Sequence, residues 1–73
     1  RKANLKNANL TGAYLMKAVA YAANFEGANL SDALMDRAVL NNANFKDAIL
    51  TRVVLTSSDL GDAVIEGADF SGE

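Results

Sequence analysis

The sequence predicts an all-β fold, a four-sided parallel β-helix whose short flat sides stack coil upon coil. Three observations predict it. Apolar residues, large in all units but one, recur every five positions without a break. Outward-facing residues match in type at a spacing of twenty. The composition leaves few other ways to stabilise so short a chain.

The five-residue period comes first. Every fifth residue from Leu5 to Phe70 is a unit centre: eight Leu, three Phe, Met35, Ile65 and Ala20, fourteen in all. Two residues before each centre stands a small residue, Ala in twelve units, with Val53 and Ser58 the exceptions. An α-helix turns about 100° per residue, so centres five apart would scatter around it and form no apolar stripe. A long strand fails as well, because its two-residue alternation changes phase at every five-residue step. A short extended stretch with a corner every five residues satisfies the pattern. The small residue and the centre are two apart and face inward together, and the other three positions face outward or make the corner. Asn, Asp, Gly and Ser suit those corners.

The number of sides follows from the outward columns. Just after the centre, one column at a spacing of twenty reads Lys6, Glu26, Lys46, Glu66, and the next reads Thr11, Ser31, Thr51, Ser71. Just before the centre, the columns are Asn4, Asn24, Asn44; Tyr14, Leu34, Val54; and Val19, Val39. Spacings of five or fifteen mix these types. Twenty residues, or four sides, therefore make one turn, and fourteen units make about 3.5 coils. With coils about 4.8 Å apart, the solenoid is about 17 Å long.

The composition fits one small domain. The 73 residues contain no Cys, His, Trp or Pro, so no disulfide forms and a zinc site would have only carboxylates. Hydrophobic residues make up 51%, well above disordered chains. The net charge of −2 is too small to suggest a nucleic-acid binder, and no apolar run approaches the 18 residues or so of a membrane span.

Chemical motifs are sparse. Without His no Ser–His nucleophile can be assembled. Ser57 and Ser58 lie beside Asp59, but the repeat places Ser58 inward and Ser57 at a corner. Asp59 and Asp62 share one side as solvated carboxylates with no cleft between them. Asn9-Leu10-Thr11 and Asn29-Leu30-Ser31 match the glycosylation sequon, which the repeat itself generates. Gly12, Gly27, Gly67 and Gly72 close units and follow the repeat, not a nucleotide-binding spacing. The expectation is therefore no catalytic, cofactor-binding or metal-binding residue. The one anomaly is apolar: Tyr14, Leu34 and Val54 face outward on one side and Val19 and Val39 on the next, with Met16 and Tyr21 adjoining. These five wall residues, Tyr14, Leu34, Val54, Val19 and Val39, are the candidate interaction surface, for a protein partner or for self-association.

Ala8-Asn9-Leu10-Thr11-Gly12, Ala28-Asn29-Leu30-Ser31-Asp32 and Ala68-Asp69-Phe70-Ser71-Gly72 resemble the A-(N/D)-L-x-x signature of the pentapeptide-repeat family. The resemblance runs from Ala3 to Gly72. It implies a right-handed quadrilateral β-helix, and the handedness comes from the family alone. The stretches Ala28–Arg37, Val54–Gly61 and Ile65–Ser71 resemble the thylakoid lumenal members of plants. That resemblance implies a chloroplast lumenal location and a non-catalytic structural or interaction role. Those lumenal proteins carry helical segments beyond the solenoid. The expectation is thus one solenoid over residues 1–73, a fragment or core without end caps, with Arg1, Lys2 and Glu73 in phase with neighbouring units. Some family members inhibit DNA gyrase by mimicking duplex DNA, the alternative reading. Matching duplex charge over about 17 Å takes about ten negative charges, and this chain has a net −2.

Overall fold

Each five-residue unit closes its corner with one local hydrogen bond. The N–H of Ala8 donates to the carbonyl of Leu5 at 3.0 Å, and Ala13 to Leu10 and Ala28 to Phe25 repeat the bond at 3.0 and 2.9 Å. The third residue of each such turn has positive φ: Asn7 at 59°, Gly12 at 70°, Lys17 at 63°. The second residue does not, which is the signature of a type II turn. This explains the corner composition, since Gly, Asn and Asp tolerate that conformation best.

The computed structural model describes residues 3–72, and no helix is present among them. The reading of the chain ends rests on Arg1, Lys2 and Glu73, which lie outside the described residues. Successive coils pair in parallel at a register of twenty: Asn4 with Asn24, Asn9 with Asn29, Tyr14 with Leu34, and Val19 with Val39. Five residues per side and twenty per turn give four sides. The ladder runs both ways. The N–H of Leu5 donates to the carbonyl of Asn24 at 2.7 Å, the N–H of Asn24 to the carbonyl of Ala3 at 2.8 Å, and the N–H of Asn7 to the carbonyl of Glu26 at 2.9 Å. In a unit with a described coil on both sides, three of the five amides thus reach a neighbouring coil, and a fourth closes the turn.

The core is one continuous apolar column from Ala23 to Val53. Alternating Ala and large residues fill it, and no polar residue is buried among the described residues. Phe25 and Phe45, twenty apart, stack with ring centroids 4.9 Å apart and planes 3° from parallel. Ser58 occupies an inward position by donating its hydroxyl to the carbonyl of Leu55 at 2.6 Å.

The expectation that every centre and every small partner is buried holds for this middle stretch and fails beyond it. Leu5, Leu10, Leu15, Leu55 and Leu60 are half-buried, Ala3 is exposed, and Ile65 is 52% exposed. The cause is stacking on one side only: the coils on which these residues lie have a described neighbour above or below, not both. Ala20 falls in the same outer layer. It lines a cleft of about 270 Å³ together with Leu5, Leu15, Phe25 and Leu40. Phe25 stays stacked on Phe45, so the space beside Ala20 remains open.

Candidate interaction surface

The residue before each centre is the one that pairs between coils, and its side chain faces out. Where it is Asn or Asp, it also fastens the corner. Asn24 Oδ1 accepts the N–H of Glu26 at 3.0 Å, Asn44 that of Lys46 at 2.9 Å, Asp59 that of Gly61 at 3.0 Å and Asp69 that of Ser71 at 2.8 Å. Asn9 and Asn29, the sequon residues, make the same bond to Thr11 and Ser31 at 3.2 and 3.0 Å. This local bond, an Asx turn, is the chemical reason for Asn and Asp at this position.

The apolar wall stands where that bond is absent. Tyr14, Leu34 and Val54 form one paired column, and Val19 and Val39 form the next, which continues to Asp59. Tyr14 is 79% and Val19 73% exposed; Val39 and Val54 are exposed and Leu34 is half-buried. The structure thus brings all five sequence-predicted residues onto two adjoining sides. Between those sides lies the turn Leu15–Ala18, with Met16 and Lys17 at its tip. On the next corner, Tyr21 Oη accepts a hydrogen bond from Asn42 Nδ2 at 2.8 Å.

The other two sides are less uniformly polar than their first residues suggest. The Asn4–Asn24–Asn44 column continues to Val64, and the Asn9–Asn29 column continues to Ile49 and Asp69. Val64 and Ile49 are both exposed. Following each twenty-residue column to its end finds them.

Electrostatics lie at the corners. The column Lys6–Glu26–Lys46–Glu66 is stacked as expected, but it forms no ion pair among the described residues. The ion pairs found are Arg37–Asp36 at 3.2 Å and Arg52–Asp32, whose Nε–Oδ1 separation is 2.7 Å. The second spans two coils and is two-pronged, with Arg52 Nη2 donating to Asp32 Oδ2 at 3.1 Å. Its hydrogen bond and charge hold the Asp32 carboxyl below the ordinary aspartate value. Asp59 is lowered by hydrogen bonds from Asn41 and the Gly61 N–H, and Asp69 by those from the Ser71 N–H and hydroxyl. In the hydroxyl column, Thr51 and Ser71 approach to 3.5 Å. Ser57, Ser58, Asp59 and Asp62 gather into no cleft: Ser58 is held by Leu55, and the others are exposed.

The model of the family described as pentapeptide repeats matches residues 1–37 and 33–72, in 8 copies. No curated protein matches the chain. Among solved structures, the chain is similar to a pentapeptide repeat protein (Rfr23) from the cyanobacterium Cyanothece 51142. The identity is 34% and the TM-score 0.63, over 94% of this chain and 44% of that one. The chain therefore spans less than half the length of that relative.

Proposed function

The chain belongs to the pentapeptide-repeat family, generally non-catalytic repeat proteins whose fold is a right-handed quadrilateral β-helix, and on that premise we propose that it is a structural or protein-interaction scaffold. On this reading it forms about 3.5 coils and meets a protein partner, or a second copy of itself, through the side carrying Tyr14, Leu34 and Val54. One observation carries the reading: large apolar groups stand in register on a wall carried by the coil ladder, with Tyr14 and Val54 exposed and Leu34 half-buried between them. A contiguous apolar surface on a rigid support is what an interface needs. The Asn-bearing units of the other two sides support it further, because the repeat closes its corners in those units with no apolar residue before the centre.

The proposed location is the thylakoid lumen, supported by the resemblance of Ala28–Arg37, Val54–Gly61 and Ile65–Ser71 to plant lumenal members. The test compares the parent chain with a Tyr14→Asn, Leu34→Asn, Val54→Asn variant in sizing experiments and in capture from a thylakoid lumen extract. The reading expects association by the parent and its loss in the variant, both folded by circular dichroism. A monomeric parent that captures nothing overturns it. Inhibition of gyrase supercoiling would instead favour DNA mimicry, which the net charge of −2 argues against.

A further inference from the structure

The corner between the two apolar sides has its own chemistry. Ala18 N–H donates to the Leu15 carbonyl at 3.1 Å, so Met16 and Lys17 form the projecting tip of that turn. Tyr14 flanks the tip on one side and Val19 on the other, and Tyr21 follows at the next corner. All four apolar residues are exposed. Along the solenoid axis the next corner residue is Arg37, placed beneath Lys17 by the bond from the Lys17 N–H to the Asp36 carbonyl at 2.9 Å. Asp36 pairs with Arg37. Lys17 forms no ion pair among the described residues.

We propose that this corner seats the protein on an anionic lipid surface. Lys17 and Arg37 meet the headgroup phosphates, while Tyr14, Met16, Val19 and Tyr21 enter the boundary between headgroups and acyl chains. Shape favours lipid over a protein partner at this place. The apolar groups lie on both flanks of a convex edge, so a folded partner would have to supply a matching angular groove. A fluid interface closes around an edge without one. Charge agrees: Lys17, Arg37 and Asp36 leave one net positive charge at this corner of a chain whose net charge is −2. Asp59, at the far end of the Val19 column, is held ionised by its hydrogen bonds and sets the direction, with the Tyr14 end toward the lipid. Tyr and basic residues side by side suit that boundary, where one end of the ring is wet and the other apolar. The inference goes beyond the scaffold reading and does not require it.

Vesicle flotation of the full chain tests it, with vesicles of phosphatidylcholine alone or containing about one third phosphatidylglycerol. Binding is expected to the anionic vesicles only, and to fall as salt is raised. Lys17→Glu should lower the partition coefficient about thirtyfold and Lys17→Gln about fivefold. Lys46→Glu, on the diagonally opposite corner, should leave it unchanged, and Tyr14→Ser with Met16→Ser should lower it even at low salt. Circular dichroism checks each fold, and if Lys17→Glu unfolds, Lys17→Gln and the salt dependence decide. Equal binding to both vesicle types, equal loss in the Lys17 and Lys46 variants, or no vesicle binding overturns the proposal. Capture of a protein partner without vesicle binding would overturn it while leaving the scaffold reading intact.

Discussion

Replacing Gly27 with Ala tests the corner geometry from two directions at once. Gly27 has a φ of 68°, and a Cβ built there would collide with Asn7 Oδ1 in the coil above. Gly12 has nearly the same φ, 70°, but a Cβ there meets nothing within 4 Å. Gly12→Ala therefore measures the left-handed backbone penalty alone, about 1–2 kcal/mol. Ala22, at 59°, shows that the coil accepts an alanine in this conformation. Gly27→Ala adds the displacement of the Asn7 side chain. That group is exposed and free to rotate, at a cost of about 0.5–1.5 kcal/mol. The structure thus predicts a loss of about 2–3 kcal/mol for Gly27→Ala and about 1–2 for Gly12→Ala. A gap of about 1 kcal/mol is about 4–8 °C in Tm for a domain this small. Thermal and urea unfolding followed by circular dichroism resolve it. Introducing Asn7→Gly should bring the cost of Gly27→Ala down to that of Gly12→Ala, a coupling of about 1 kcal/mol. Equal costs in the parent background, or no relief from Asn7→Gly, would refute the proposed contact between the coils.

Three further outcomes follow from the same structure. Ala20→Leu should raise the Tm, because the new side chain enters the cleft lined by Ala20, Phe25 and Leu40 and gains about 1–2 kcal/mol; a lower Tm would mean that the layer is already full. The Tyr14→Asn, Leu34→Asn, Val54→Asn variant should keep or slightly raise the Tm, since each new Asn can accept the N–H two residues on, as Asn24 does for Glu26; unfolding would show that the wall supports the coil itself. Asp32, Asp59 and Asp69 have lowered folded pKa values, so their contribution is present above the unfolded aspartate value and is lost as pH falls through the folded values. The Tm should therefore drop below about pH 4, and Asp69→Asn should make that drop shallower, since Asn keeps the corner bond without titrating; an unchanged acid limb would contradict the role given to Asp69.

The repeat was legible because every unit meets the same surroundings. A five-residue phase and twenty-residue columns are the imprint of identical neighbours above and below, and the pairing of Asn4 with Asn24 and of Tyr14 with Leu34 follows that register. What could not be read were the places where surroundings change. Ile65 obeys the pattern of a buried centre but has a described coil on one side only, so a pattern that records position cannot report its exposure. The Lys6–Glu26–Lys46–Glu66 column has the right signs and spacing, yet holding two long exposed side chains together costs more entropy than solvated charges return. Asp32 and Arg52 overcome that cost through a two-pronged geometry, and their spacing of twenty was visible in the sequence. The wall was found from its first coils, where Asn and apolar residues separate cleanly by side. Val64 and Ile49 mix the types further along the same columns.

The twenty-residue register underlies every column, corner and wall described above, and cysteine pairing tests it most directly. The chain has no native Cys, so introduced pairs report without interference. Neighbouring coils hold paired residues about 4.8 Å apart, within disulfide reach. Asn24→Cys with Asn44→Cys, and Leu34→Cys with Val54→Cys, should oxidise readily to intramolecular disulfides in the folded chain. Asn29→Cys with Asn44→Cys, fifteen apart, should not, because its two residues lie on different sides. Ready closure of the fifteen-residue pair, or failure of both twenty-residue pairs in a folded variant, would contradict the four-sided coil.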